Sequence, residues 1–362
     1  MQAHQLNPEE SQTVTVRQLH NAREPQVETK PLTIHISSCQ GMDSLELEKW
    51  RELLHTADEP VELVGDPASA AIILVIGFDQ TNWFKVLRGN SVWKRFPEKS
   101  FGISESDSPP RFLHGLYSGV PKKWNRMKRF SGLAYHWHRQ QYLNPVPPPE
   151  EVAAAAKKYL FSYIGRSSHP VRRRILQCCR GVTSVFTEDS TDVYNHFTST
   201  TEQGSRHEYY WNIMMASKYG LCPAGASPSS IRLFEMMEAG IAPVIVSDQW
   251  VPPLGPNWES FCLRVPESKV KYLPSIVGEI ESEYEQRGRL AREAWERWFS
   301  EGRYGDFLIR SIRHLQHSQK VPERFYARLE GYFIAVSKLR FLLFRSMVSA
   351  KQAARRIGLV RN

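Results

Sequence analysis

The sequence predicts an α/β protein built of two units, each a parallel sheet with helices on its faces. Three observations point there. A strand, a helix and a fully apolar strand follow one another from Pro31, a proline-rich break falls at "NPVPPPEE" (residues 144–151), and the same kind of series restarts after it. At 362 residues with 41% hydrophobic content, the chain is long enough for two cores of about 150 residues each.

Residues 1–30 are polar and carry no sustained period, so a flexible arm or weakly attached strand is expected there. From Pro31, "PLTIHISS" reads as a strand, and "SLELEKWRELLHTA" as a helix whose apolar positions recur three and four apart. "DPASAAIILVIG" then reads as a strand buried on both faces. Residues 79–149 are rich in Trp, Pro, Gly and basic residues and too broken by turn formers for long elements, so they are expected to be loops that shape a cleft. The prolines at 145–149 make a stiff linker, and the domain boundary is placed at residue 150.

Beyond it, "EEVAAAAKKYLFSYIGRSSHPVRRRIL" gives a helix, a strand over 159–164, a turn at Gly165 and a new helix with Pro170 in its first turn. "EYYWNIMMASKYGLCP" gives helix and strand, "CPAGASPSSIRLFEMMEAGIAPVIVSD" loop, helix and strand, and "VGEIESEYEQRGRLAREAWERWFS" a long charged helix. The expected units are 1–30 (arm), 31–150 (first α/β domain), 151–318 (second α/β domain) and 319–362 (basic amphipathic C-terminal helix).

Composition narrows the function classes. The net charge is +9, yet residues 320–362 carry ten Lys/Arg against only Glu323 and Glu330, a local balance of +8, so the remainder is nearly neutral. That describes a basic tail on a neutral globule, and no nucleic-acid recognition module accompanies it. The five cysteines (39, 178, 179, 222 and 262) have neither metal-ligand nor disulfide-framework spacing, which suggests a reducing compartment. No secretory signal and no apolar run of about 18 residues is evident, so a cytoplasmic protein is expected.

The stretch 222–248 carries the chemistry. Ser229 and Ser230 precede an apolar-periodic run and can cap a helix, and the turn at Gly225 and Ser227-Pro228 leaves that helix start open. Free N–H groups and about half a positive charge at a helix N-terminus suit phosphate. Arg232 adds a planar fork for phosphate oxygens, and Glu235, three residues on, can accept from vicinal hydroxyls such as those of ribose. The same residues also fit an ordinary capped helix with a surface ion pair, and both readings stand on the residues alone.

"SKYGLCPAGASPSSIRLFEMMEAGIAPVIVSDQWVPPLGPNWESFCLRVPE" resembles the C-terminal signature of the exostosin family of inverting glycosyltransferases, especially its bacterial members. Weaker echoes lie in "GDPASAAIILVIG", "FPEKSFGISESDSPPRFLHGLYSG" and "YLFSYIGRSSHPVRRRIL", so the resemblance reaches from about residue 31 to 300. It implies the GT-B fold: two Rossmann-like domains facing each other across a cleft, with the C-terminal helix packing back on the N-terminal domain. It also implies that Arg232 contacts the diphosphate, Glu235 the ribose, and the amides around Gly225, Ser229 and Ser230 the phosphates, with Gly165 and Arg166 approaching from the other side. Many members have Arg where this chain has Ala224, and Arg166 is a possible substitute. The donor expected is a UDP-sugar and the acceptor a glycan or glycolipid.

Inversion needs a base for the acceptor hydroxyl and positive charge for the departing diphosphate. Asp79, Asp107 and His114 are the base candidates; His136, His138 and His169 are weaker ones. No Asp-x-Asp pair occurs, so no metal and no other cofactor is expected, with "SESD" (Glu105, Asp107) the nearest counter-argument. The basic tail either docks on the first domain or lies in the plane of an anionic membrane, on the inner face of the plasma membrane, and the two are compatible. A UDP-sugar epimerase or hydrolase on the same fold, and a degenerate nucleotide-binding scaffold, are the competing functions.

Overall fold

The computed structural model describes residues 30–41, 43–77, 83–107, 109–125, 128–136, 145–191, 201–336 and Leu339. The expected arm at 1–30 (Lys30 apart), Asp79, His138 and most of the tail beyond 336 lie outside the described residues.

Two parallel sheets form, as expected. The first has the order β2-β1-β3-β4-β5-β6, with β1 at Leu32–Ser38, β2 Val61–Leu63, β3 Ile72–Ile76, β4 Ser100–Ser104, β5 Gly115–Tyr117 and β6 Phe130–Gly132. All five residues of β3 are buried, which is how a central strand covered on both faces reads in sequence. The helix Ser44–Leu54 opens on a capping box: Asp43 accepts from the Glu46 amide at 2.8 Å and the Glu46 carboxylate accepts from the Asp43 amide.

Three of these strands lie inside the stretch expected to be loops. They are three to five residues long, wholly buried and interrupted by glycine, so neither alternation nor an apolar run announces them. The glycines have a steric cause. Gly102 and Gly115 are register partners, and a Cβ on Gly115, whose φ is +150°, would stand 2.0 Å from the Gly102 carbonyl oxygen.

The second sheet has the order β11-β10-β9-β7-β8, with β7 at Tyr159–Gly165, β8 Val185–Asp189, β9 Ser217–Pro223, β10 Ala242–Val246 and β11 Leu263–Arg264. The chain builds outward from β7 in one direction to β8 and in the other to β9 and β10. The strand order therefore reverses between β7 and β9, and in open parallel sheets ligands bind beyond the strand C-termini at such a point. Two Rossmann-like units of this kind are consistent with the GT-B architecture.

The long helix Glu301–Ser318 returns to the first domain. That return begins at residue 301, within the span assigned from sequence to the second domain, because its buried face (Tyr304, Phe307, Leu308, Ile312 and Leu315) fits the first domain rather than the second sheet alone. The Tyr304 hydroxyl donates to the Ala134 carbonyl at 2.6 Å, and the Gly305 amide donates to Thr56 Oγ1 at 2.9 Å. A Cβ at Gly305 would lie 2.0 Å from the Leu53 carbonyl oxygen, so only glycine lets the two helices approach this closely. Burying an aromatic or leucine side chain of this stripe is worth about 1.5–3 kcal/mol relative to leaving it in water. The domains also touch through single bridges, Pro121 with Trp250 and Gly132 with Pro253.

Candidate functional site

The site grows from the helix Ile231–Ala239. Leu233, Phe234, Met236 and Met237 bury its apolar face, and Gly240 ends it in the left-handed conformation (φ 71°). Ser230 holds the N-cap position with extended backbone, but its hydroxyl makes no capping bond, which differs from the capping expected. The Ser227 hydroxyl donates instead to the Ser229 carbonyl at 3.3 Å, and Ser247 donates to the Pro228 carbonyl at 2.8 Å. The loop thus holds its own shape and leaves the first-turn amides without a side-chain acceptor at the N-cap.

Arg232 folds back over the strand ends. Its Nη2 donates to the Ile164 carbonyl in β7, Nη1 to the Leu221 carbonyl in β9 at 3.5 Å, and Nε to the hydroxyl of Tyr210, on the helix Thr201–Met215, at 3.0 Å. The guanidinium lies over the rings of Tyr163 and Tyr210, 5.0 and 5.6 Å from their centroids. The group therefore spans the point where the strand order reverses. Tyr210 in turn donates to Glu235 Oε2 at 3.1 Å, so one phenol joins the two predicted ligand residues, and they form no direct ion pair. Burial works against the Arg232 charge, but the surrounding Tyr210, Tyr163, Cys222 and Glu235 outweigh it and raise its pKa.

A second guanidinium stands beside it. Arg172 donates through Nε to the Ala224 carbonyl at 3.0 Å and through Nη2 to the Pro223 carbonyl at 3.3 Å. Gly225 makes room for it, since a Cβ there would sit 2.5 Å from Nη2. Burial lowers the Arg172 pKa and the neighbouring Arg232 charge lowers it further, against opposing contributions from Tyr163, Asp107 and Tyr135. Neither arginine forms a salt bridge with a carboxylate among the described residues. The two guanidinium groups thus stand side by side on carbonyls and phenols, with the Arg232 charge adding to the cost of holding that of Arg172.

Gly165 ends β7 next to this cradle, whereas the Arg166 side chain is exposed and only its carbonyl turns inward, accepting from Tyr163 at 3.2 Å and Arg172 at 3.5 Å. The cation beside Ala224 is thus Arg172, not Arg166.

The base candidates separate. Asp107 stands in the bend after β4, part-exposed, and its charge acts on both Arg172 and Tyr135, so from the first domain it comes near the loop before the helix Ile231–Ala239. Tyr135 bridges the same boundary, its hydroxyl 3.4 Å from Ser227 Oγ. His114 is 0% exposed, its ring packed on Phe101 with centroids 4.1 Å apart and its Nδ1 accepting from Gln319. Burial, and then the Arg129 charge, push its pKa down to about 3, so it is neutral and its 3.7 Å approach to Glu323 is no ion pair. Sealed from solvent, His114 packs the first domain. Glu105 is also buried and accepts the His136 amide at 2.5 Å, and His169 caps the helix Pro170–Cys178 by accepting from the Val171 amide at 3.3 Å. Among the described residues, no three His, Cys, Asp or Glu side chains gather as metal ligands would.

Residues 134–280 match the profile of the Exostosin GT47 domain. The chain is similar to exostosin-2 of Homo sapiens, 24% identical over 139 residues, which cover 36% of this chain and 19% of that protein. It is also similar to a probable glycosyltransferase of Arabidopsis thaliana, 33% identical over 73 residues covering 20% of this chain and 14% of the relative. A probable beta-1,4-xylosyltransferase of the same plant is 37% identical over 76 residues, 20% of this chain and 18% of the relative. The chain thus spans less than a fifth of the length of these relatives.

Within the matched residues 134–280 fall Gly165, Arg166, Gly225, Ser229, Ser230, Arg232 and Glu235, and also Arg172 and Tyr210, which the sequence did not single out. "PVRRRIL" offers three consecutive arginines. Only Arg172 shares a helical face with the buried Ile175 and Cys179, and that i, i+3, i+7 spacing was the available signal.

Proposed function

We propose that this protein is an inverting glycosyltransferase that moves a sugar from a UDP-sugar to a hydroxyl of a glycan or glycolipid. The observation that carries the proposal is the pair Arg172 and Arg232 at the C-terminal ends of β7 and β9, side by side and without a carboxylate in ion-pair contact among the described residues. A diphosphate supplies the missing charge, and the uncapped start of the helix Ile231–Ala239 supplies amides for its oxygens. Glu235, held by Tyr210, accepts from the ribose hydroxyls.

In the reaction the acceptor hydroxyl attacks the anomeric carbon on the face opposite the diphosphate. Asp107 takes its proton, and the C–O bond to UDP breaks as charge grows on the phosphate that Arg172 and Arg232 face. Fixed cations at the leaving group make the reaction independent of added metal. Relatives named as exostosin, probable xylosyltransferase and probable glucuronosyltransferase fit sugar transfer.

The test is turnover of UDP-xylose, UDP-glucuronate and UDP-glucose with an oligosaccharide acceptor panel, in EDTA and with Mn²⁺. A glycosylated acceptor with inverted configuration, equal rates in both conditions, and a drop of roughly 10²–10⁴ in kcat for Asp107→Asn are expected. Products formed from donor without acceptor, or full activity in Asp107→Asn, contradict the assignment.

A further inference from the structure

The described part of the basic tail has two faces of opposite character. Residues Glu323–Arg328 are helical, and helix resumes over 330–336, with the Phe333 amide donating to the Leu329 carbonyl across the join at 3.0 Å. Glu323, Tyr326 and Ile334 face inward and are buried.

From Val321, in the bend before the helix, the outer face runs on through 325, 328, 332, 335 and 339, in steps of three and four, the repeat of a helical stripe. Every position on it is exposed, with Val321 at 42%, Phe325 55%, Tyr332 63% and Leu339 58%. These are four of the seven exposed large hydrophobic residues among those described, gathered in nineteen positions, whereas Leu45, Tyr209 and Tyr272 are scattered.

The charges are sorted in the same way. The tail's two acidic residues are both paired with the first domain: Glu323 with Arg129, and Glu330 with Lys94 at 3.1 Å. On the exposed side stand Lys320, Arg324 and Arg328. Arg324 lies 3.8 Å from Glu98, whose oxygens accept from the Glu323 and Arg324 amides, while Lys320 and Arg328 have no ion pair among the described residues. A mainly apolar stripe that carries the unpaired Arg328, with the unpaired Lys320 at its start, matches an anionic bilayer surface, where the aromatic rings enter the headgroup layer and the cations meet phosphate.

We propose that the outer face of residues 320–336, with Leu339, is a docking surface for an anionic lipid bilayer, on which the enzyme lies without crossing it. No helix among the described residues is long and apolar enough to span a membrane. This proposal is independent of the donor site.

Flotation with phosphatidylcholine vesicles, and with vesicles of phosphatidylcholine and phosphatidylglycerol at about 3:1, tests it. Binding to the anionic vesicles alone is expected, weakening as salt is raised. Each cation near the surface contributes about fivefold, so Lys320→Gln/Arg328→Gln lowers partitioning on the order of 20-fold. Phe325→Ser/Tyr332→Ser lowers it by about tenfold or more. All four side chains are exposed, so the unfolding midpoint stays that of the parent protein and a folding defect is recognised directly. Equal binding to neutral and anionic vesicles, or unchanged binding in both double variants, overturns the proposal. So does self-association without lipid that both variants abolish, which assigns the face to a second copy of the chain.

Discussion

Arg129 and the pair Arg172/Arg232 are arginines enclosed at the edges of the two sheets, and they are satisfied in opposite ways. Arg129 donates through Nε to Glu323 at 2.7 Å and through Nη2 to the second Glu323 oxygen, with Nη1 on the Arg111 carbonyl at 2.8 Å and the Tyr326 ring 3.5 Å from its Cζ. Charge, hydrogen bonds and packing all close within the protein. Arg172 and Arg232 have carbonyls and phenols for hydrogen bonds but no carboxylate in ion-pair contact among the described residues, and the Arg232 charge makes that of Arg172 costlier to hold. A closed arginine holds two segments together; the open pair is the anion site proposed above.

The largest effect that can break this contrast is at the closed site. Arg129→Ala leaves the Glu323 carboxylate buried and unpaired, and is expected to cost about 3–5 kcal/mol of unfolding free energy by urea denaturation. UDP affinity of the folded variant stays unchanged, and a loss of affinity matching that of the site variants erases the distinction. Arg232→Ala does the reverse. UDP affinity falls by about 2–3 kcal/mol, roughly 30- to 150-fold by calorimetry, with a smaller stability change because the neighbouring Arg172 charge is relieved.

The His114 ring beside Arg129 gives a pH test. An unfolded histidine takes up a proton near pH 6.5, whereas the folded ring stays neutral down to about pH 3. The unfolded state therefore binds more protons in that window, and stability falls by about 1.4 kcal/mol per pH unit as pH drops through it. Between pH 7 and pH 5, the parent protein should lose about 2 kcal/mol more than His114→Asn, measured by denaturation at both values. Equal losses mean that His114 titrates normally and is not sealed. The smallest effect sharpens the open site: Glu235→Ala should weaken UDP by about 1 kcal/mol, near fivefold, and leave pyrophosphate binding unaltered. Equal weakening of both ligands removes the ribose role.

The surroundings of Arg232 stood out in the sequence, those of Arg172 did not, and the Arg129–Glu323 pair left no local mark at all. Arg232 and Glu235 lie on a helix whose period is plain and whose following strand, Ala242–Val246, is an unbroken apolar run. Tyr210 and Arg172 were missed because their roles depend on which face of a helix turns to the sheet edge, and "RRR" hides the inward residue among two exposed ones. Glu323 and Arg129 are 194 positions apart, and nothing local marks either as buried. The strands β4, β5 and β6 stayed hidden because close backbone contact at Gly102 and Gly115 replaces side-chain patterning. The loop and helix start at 224–231 were legible, but the capping was not: Ser230 occupies the cap without making the bond.

The central claim is that Arg172 and Arg232 form one anion site. Isothermal titration of UDP into the parent protein and the Arg172→Met/Arg232→Ala variant tests it most directly. Saturable binding to the parent, weakened at least about 100-fold in the variant while its unfolding transition stays cooperative, is the predicted result. No saturable binding to the parent, or the same affinity in both proteins, contradicts it.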